Sequence, residues 1–144
     1  MDAESAQSIR VLECLAACNE QLIVLCQWLP SVPGIRTVSH GFSCRAYKSG
    51  TSLEAYVEAN LEDGKVICWW IEVGWNREEW RIEPSVLVND DEGQRVLRDF
   101  PEKRPKTIDD FTVELKEATS DLVAYARSMD LSPLVFDTSE VSHQ

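Results

Sequence analysis

The feature of this sequence that most constrains its fold is the run Lys65–Trp75, KVICWWIEVGW, which holds three of the five tryptophans. The run is rich in β-branched and aromatic residues and is bounded by turn-forming residues, so it predicts a β-strand. Alternation divides its side chains between two faces, with Ile67, Trp69, Ile71 and Val73 on one and Val66, Cys68, Trp70 and Glu72 on the other. Both faces are apolar up to Glu72, whereas a half-exposed strand carries polar residues at most outward positions. We therefore predict a central strand that is either covered on both faces or presents Cys68 and Trp70 to a partner.

Other strands are predicted on both sides of this run. They are Ser39–Lys48, Leu53–Leu61 and Trp80–Val88, with turns at Ser49-Gly50-Thr51 and at Glu62-Asp63-Gly64. Pro84 indicates an edge or a bulge in the last of these strands. Gln94–Phe100 fits either a fifth strand or a short helix. Because the connections are short, the pattern favours an antiparallel meander.

Two amphipathic helices are predicted at the ends of the chain. The first runs from about Ser5 to Leu29, where Pro30 stops it, and its core stripe is Val11, Leu15, Cys18, Leu22, Leu25 and Leu29. A second set widens this stripe toward another neighbour: Ile9, Leu12, Ala16 and Ile23. The second helix begins after an N-cap at Thr107 and ends near Met129, with the stripe Ile108, Phe111, Leu115, Ala118, Leu122, Ala126 and Met129. The spacing in the first helix fits core packing or a helix-mediated dimer, and core packing is favoured.

These elements predict an α+β fold with a four- to five-stranded antiparallel meander sheet, flanked by a long N-terminal helix and a C-terminal helix. At 144 residues, the chain is expected to form a single domain over 1–144, with a charged linker at 101–106 and a flexible tail from about residue 131. No apolar run reaches the roughly 18 residues of a membrane span. The acidic N-terminus does not have the composition of an export signal.

The net charge of −11 bears on the kind of partner. It argues against nucleic acid and against an anionic membrane surface, because binding to either rests on Lys and Arg. It favours a basic protein partner, although acidity also keeps a cytosolic protein in solution. The charge is uneven, since residues 30–50 contain Arg36, Arg45 and Lys48 and no acid.

The reactive side chains form no recognisable catalytic or metal motif. Five cysteines, an odd number without framework spacing, indicate reduced thiols and a cytoplasmic location. His40 and Cys44 are four residues apart on one predicted strand, roughly 13 Å, which is too far for a thiol–imidazole pair. Cys14 and Cys18 share one side of a helix and would supply only half of a zinc site. We therefore predict no catalytic residue, no metal site and no cofactor.

Two groups of residues are candidates for function. The first lies on the second face of the sheet and combines aromatic and charged side chains as a partner-binding surface: Tyr56, Trp70, Glu54, Glu58, Glu72, Arg81 and Glu83. The second is an acidic stripe on the C-terminal helix: Asp110, Glu114, Glu117 and Asp121. Trp and Tyr are enriched in binding hot spots, and acidic neighbours favour a partner that carries Lys or Arg. Carboxylate pairs also suit acid–base chemistry, but solvated acidic faces are commoner.

Three functional hypotheses follow. The favoured one is a small acidic bacterial-type cytosolic protein, not an enzyme, that binds another protein as an immunity protein, an antitoxin-like inhibitor or a secretion-type chaperone does. The second is a structural homodimer within a larger assembly, paired through the Trp70 face or the first helix. The third is an enzyme or small-molecule-binding protein that uses carboxylates in a pocket between sheet and helices.

Overall fold

The computed structural model of this chain describes residues 2–47, 50–75 and 79–131. Its elements, in chain order, are α1 (Ala3–Trp28), a 3-10 turn (Leu29–Ser31), β1 (Ile35–Tyr47), β2 (Gly50–Leu61), β3 (Val66–Trp75), β4 (Trp80–Asp90), β5 (Gly93–Asp99) and α2 (Ile108–Ser128). The predicted α+β fold is confirmed. Residues 76–78, which follow the central run, and the tail beyond residue 131 lie outside the described residues.

The five strands form one antiparallel sheet in the order β1-β2-β3-β4-β5, which confirms the meander. The central run Lys65–Trp75 forms β3, the middle strand of the sheet, which begins at Val66. The turn before it is closed by a hydrogen bond from the Leu61 amide to the Lys65 carbonyl, with Gly64 at a φ of +95°. Gly50 and Thr51 of the predicted turn lie in β2, where Gly50 is opposite Tyr47, and residues 48 and 49 lie outside the described residues.

One face of the sheet is covered by both helices and forms the core. On β3 this face carries Ile67, Trp69, Ile71 and Val73, which are at most 3% exposed. Trp69 is fully buried between its cross-strand neighbours Val57 and Val86. Alternation therefore assigned the strand's two faces correctly, and the helices cover the wholly apolar one. The opposite face, called the outer face below, carries Val66, Cys68, Trp70 and Glu72.

The two helices lie side by side and run in the same direction. The Arg10 guanidinium pairs with Asp109 near their N-termini, and the Arg127 guanidinium lies 5.4 Å from the Trp28 ring near their C-termini. Between these ends, Cys14 and Cys18 donate to the carbonyls of Thr112 and Leu115. Cysteine is small, so it allows the backbones to approach closely along this flank of α1. No helix in the described ranges combines the length and the apolarity that a membrane span requires.

Both helices begin at a side-chain cap. Thr107 caps α2 by accepting from the Asp110 amide, as predicted. Asp2 caps α1 by accepting from the Ser5 amide, so this helix begins earlier than the predicted start near Ser5. The core stripe of α1 is confirmed for Cys18, Leu22, Leu25 and Leu29, and Cys14 joins it. The second stripe of α1 is incompletely covered within the described residues, since Leu12 is 64% exposed, Ile9 39% and Ile23 37%.

The region after β4 resolves an ambiguity in the sequence. Residues 94–99 lie in the fifth strand and not in a helix. The edge or bulge predicted at Pro84 is not found there, because β4 is an inner strand and Pro84 pairs in regular register with Ile71. The register shift between Val86 and Leu87 instead leaves Leu97 of β5 unpaired. The charged segment 101–106 is not a free linker, because the amide and carbonyl of Lys103 bond those of Ile82 and extend the edge of β4. At the end of α2, Leu131 is buried in the core and is not part of a loose tail.

Candidate functional site

All seven residues predicted for a partner-binding surface lie on the outer face. Three strands contribute them, and the register arranges them in transverse rows. The carboxylate row contains Ser43, Glu54, Glu72 and Glu83, each directly opposite the next. The aromatic row beside it contains Gly41, Tyr56, Trp70, Ser85 and Asp99. Glu58 lies one row further, beside Cys68.

The carboxylate row places like charges next to each other across three strands. Such pairs are unfavourable unless donors compensate them. Glu72, at the centre, is 17% exposed and accepts hydrogen bonds from Ser52 Oγ at 2.9 Å and from Arg81 Nη2 at 3.0 Å. Glu54 has a weaker partner, Ser43 Oγ at 3.4 Å. The central carboxylate is therefore held in place, while those beside it keep acceptor capacity.

Arg81 is the cation that organises this row. Besides Glu72, it lies 3.7 Å from a carboxylate oxygen of Glu83 and 3.7 Å from one of Glu102. One guanidinium thus serves three carboxylates and leaves a local excess of negative charge. In the described side chains, no Lys or Arg forms an ion pair with Glu54 or Glu58.

Glu102 connects the row to the rim of the sheet. It lies 3.4 Å from Arg104, which also pairs with Glu79. The hydrogen bond that the exposed Arg104 guanidinium donates to Glu79 raises the pKa of Arg104. Arg104 is thereby paired within its own chain and, among the residues that the structure describes, this rim adds no unpaired cation to the outer face.

The aromatic row is anchored at β1 by a close approach. A Cβ added at Gly41 would lie 2.1–2.6 Å from three atoms of the Tyr56 side chain, so the Tyr56 ring lies across the Gly41 backbone. Trp70, opposite Tyr56, is partly exposed. Its strand and diagonal neighbours include Glu72, Glu54 and Glu58. A partly exposed indole therefore lies among carboxylates.

The pKa of the Cys68 thiol is affected by its burial and by the carboxylates of this face. Burial, together with the carboxylates of Glu58 and Glu54, raises the pKa of the Cys68 thiol to about 12. The thiolate is the nucleophilic form of cysteine. Near neutral pH the Cys68 thiol is protonated, so it acts as a small apolar side chain within the outer face.

The acidic stripe of α2 lies elsewhere. Because α2 packs on the core face, the structure does not bring Asp110, Glu114, Glu117 or Asp121 together with the outer face. Glu117 pairs with Lys103 at 3.4 Å. Oxygen Oε2 of Glu114 is buried and has no hydrogen-bond partner among the described residues. The two predicted groups are therefore separate surfaces.

His40, Cys14 and Cys18 have structural roles in the contacts between elements. The Nε2 atom of His40 lies 2.8 Å from Asn19 Oδ1, which ties β1 to α1. Cys14 and Cys18 are buried between the helices, and burial raises the pKa of Cys14 to about 11. Across the described ranges, no group of three or more His, Cys, Asp or Glu side chains is placed to hold a metal ion.

Two small spaces lie near α1. One is a cavity of about 20 Å³ between α1 and the sheet, lined by apolar side chains and Asn19 with no carboxylate. The other is an open groove of about 230 Å³ between the two helices, where Arg10, Glu13 and Lys116 surround the edge of Cys14. Neither space contains the buried carboxylate that the enzyme hypothesis requires.

Several residues of the outer face were not found from the sequence. Ser52 and Glu102 complete the Arg81 network, and their roles depend on strand register and on the path of residues 101–106. Gly41 carried a usable signal, because a glycine inside a strand often marks a close backbone approach. Here the approaching group is the ring of Tyr56.

The fold and the site define an α+β protein of two layers, with helices on one face of a meander and an aromatic and acidic surface on the other. Comparison with protein-family models, curated proteins and solved structures finds no match to this chain.

Proposed function

We propose that this chain is a protein-binding module and that its outer face binds a partner protein that presents Lys and Arg. The observation that carries this proposal is the carboxylate row: Glu54, Glu72 and Glu83 lie opposite one another on neighbouring strands, and Arg81 pairs with only the last two. The partly exposed Trp70 lies in the row beside them. A partner that adds cations relieves the repulsion within the row. Binding would thus supply what the fold itself leaves incomplete.

The aromatic row makes this surface selective as well as acidic. Lys and Arg carry long aliphatic stems that pack on apolar surface while their charged ends remain at polar groups. Trp70 and Tyr56 offer that surface at the centre of the outer face, and an aromatic ring also attracts a cation directly. Aromatic anchors of this kind contribute much of the binding energy at protein interfaces.

The proposal includes a class and a location. Immunity proteins, antitoxin-like inhibitors and secretion-type chaperones are small proteins that act by binding a partner, and we place this chain among such proteins in a bacterial-type cytoplasm. Five free cysteines support a reducing compartment. The net charge of −11 supports fast, salt-sensitive association with a basic partner.

The proposal is tested with two variants that change the net charge equally. Glu54→Gln with Glu58→Gln removes two carboxylates from the outer face, and Asp110→Asn with Asp121→Asn removes two from α2. Binding of a peptide rich in Lys and Arg is measured by titration calorimetry for the wild type and both variants at two salt concentrations. We expect the outer-face variant to weaken binding by about tenfold, on the order of 1.4 kcal/mol, and the α2 variant to have little effect.

A third variant, Trp70→Ala, changes no charge and is expected to weaken the same binding by a comparable factor. Equal weakening by the two charge variants would mean that the peptide responds only to net charge. That result, or unchanged binding in Trp70→Ala, would contradict the proposed surface. Proteins captured from a bacterial lysate by the wild type and lost in Trp70→Ala then become candidates for the natural partner.

A further inference from the structure

We propose that this chain forms a twofold symmetric dimer through the free edge of β1 and the exposed stripe of α1. The occupant of this surface is a second copy of the same chain. This inference does not depend on the partner proposed above, because it concerns the edge of the sheet and not its outer face.

The first observation is that the edge of β1 is unprotected. In the described residues β1 pairs with β2 alone, so its other edge presents free amide and carbonyl groups. Soluble proteins usually protect such edges with charged side chains, with proline or with short strands. β1 is 13 residues long, and its central segment 37–44, TVSHGFSC, contains no Lys, Arg, Asp, Glu or Pro.

The second observation is an apolar seam on the flank of α1 beside this edge. Its positions are spaced by three and four residues: Ile9, Leu12, Ala16, Asn19 and Ile23. Ile9, Leu12 and Ile23 are at least 37% exposed, and Ala16 is also exposed. This is the spacing of a helix that packs against another helix.

The position of the seam relative to the sheet is fixed by contacts. Asn19, in the seam, bonds His40 of β1, whereas α2 packs on the opposite flank of α1 through Cys14 and Cys18. Phe42 of β1 is 52% exposed on the same side and lines the cavity with Leu15 and Asn19. The free edge and the seam are thus one continuous surface.

The free edge of β1 and the seam of α1 have their midpoints close together. One twofold axis can therefore relate both of them to a second copy of the chain. The middle residue of β1 is Gly41, and the middle of the seam is Ala16. His40 and Phe42 flank Gly41 and both face α1: His40 bonds Asn19, and Phe42 lines the cavity together with Leu15 and Asn19. The middle of β1 therefore lies beside the middle part of the seam.

The lengths and the chemistry also match. The seam spans about 21 Å at 1.5 Å per residue, and the uncharged edge spans about 23 Å at 3.3 Å per residue. Antiparallel pairing of two β1 strands about Gly41 places Ser39 of each copy opposite Ser43 of the other, and no like charges face each other in segment 37–44. The same axis places Ile9 of each copy near Ile23 of the other.

Such a dimer has a consequence for the outer face. Pairing at Gly41 joins the two sheets into one of ten strands and places the two aromatic rows in line across the axis. The two outer faces then form a single surface with two equivalent sites. Closed twofold pairing is also the commonest form of self-association in soluble proteins.

The test is the solution mass of the full chain across a concentration series, by sedimentation equilibrium. The wild type is expected to reach twice the 16.3 kDa of one chain. Leu12→Glu, which charges the seam, and the double change Ser39→Lys with Ser43→Lys, which opposes like charges across the axis, are each expected to reduce the mass to 16.3 kDa. Val113→Glu is the matched control, because Val113 is 55% exposed on α2, away from this surface; it is expected to remain a dimer.

Circular dichroism is used first to check that each variant is folded, so that a lower mass can be attributed to lost association. A wild type that stays monomeric at every concentration overturns the proposal. So does a dimer that survives both the Leu12 and the β1 variants. A dimer that is lost in Trp70→Glu and retained in the Leu12 and β1 variants assigns the interface to the outer face and overturns it as well.

Discussion

The two faces of β3 are built from alternate residues of one strand, yet they differ in how their interactions are completed. On the core face, Ile67, Trp69, Ile71 and Val73 are covered by helices from the same chain. On the outer face, Trp70 is partly exposed and Glu72 is held by Ser52 and Arg81. The core face therefore supplies stability. The outer face uses part of that stability to hold charges and an indole at the surface.

The largest effect that this comparison predicts concerns the adjacent tryptophans. Trp69 is fully buried, and its indole N–H meets no acceptor among the described residues, so its contribution comes from packing. Trp69→Ala is expected to destabilise the fold by about 3–5 kcal/mol, and Trp70→Ala by about 1 kcal/mol or less. Urea denaturation of the two variants and the wild type measures both values. Equal losses would mean that the outer face is as well packed as the core.

The close approach of the Tyr56 ring to Gly41 determines how firmly the aromatic row is fixed. Gly41→Ala places a methyl group in the Tyr56 ring, so either the ring or the strand must move. We expect a loss of about 2 kcal/mol, and recovery of most of it when Tyr56→Ala is added. Gly74→Ala is the matched control. Its Cβ would lie 3.2 Å from Arg81 Nη2, against 2.1–2.6 Å from the Tyr56 ring at Gly41, so a small shift of a long side chain accommodates it.

No recovery in the Gly41 and Tyr56 double variant would show that the cost comes from the β1 backbone and not from the ring. In that case Tyr56 would be mobile and the aromatic row would not be a rigid surface. Hydrogen exchange of the β1 amides distinguishes these results, since a disturbed strand exchanges faster than one that loses only a side-chain contact.

The sequence was sufficient for the outer face where alternation is unbroken. β2 and β3 alternate without interruption, so the positions of Glu54, Tyr56, Glu58, Trp70 and Glu72 were assigned correctly. β5 was ambiguous because the register shift opposite Val86 and Leu87 breaks its alternation, leaving Val96 exposed and the adjacent Leu97 partly buried against the core. A period of two cannot reveal a strand that contains a bulge.

Longer-range features were not available from periodicity. Periodicity identified the core stripe of α1, but it did not show that the second stripe would remain largely exposed, since that depends on where α2 and the sheet pack. The partners of Arg81 come from β3, from β4 and from residue 102, and cross-strand partners depend on a register that a single sequence specifies weakly. The edge pairing of Lys103 was hidden by the surrounding prolines, although Lys103 itself has the amide that Ile82 bonds.

The smallest predicted effect concerns the pH dependence of stability, and it compares the buried Cys68 of the outer face with the exposed Cys44. Burial and two carboxylates raise the pKa of the Cys68 thiol from 9.0 to about 12, so the unfolded chain releases its proton first as the pH rises. The contribution of Cys68 is therefore fully present below pH 9 and decreases above it. At pH 10 the free energy of unfolding is therefore about 1.4 kcal/mol lower than at neutral pH on account of Cys68.

We expect the stability of Cys68→Ala, measured by urea denaturation from pH 7 to pH 10, to fall less steeply than that of the wild type. Cys44→Ala, a change at an exposed thiol, is expected to keep the wild-type slope. Identical slopes for Cys68→Ala and Cys44→Ala would mean that water reaches Cys68, and that the outer face opens between Glu58 and Trp70.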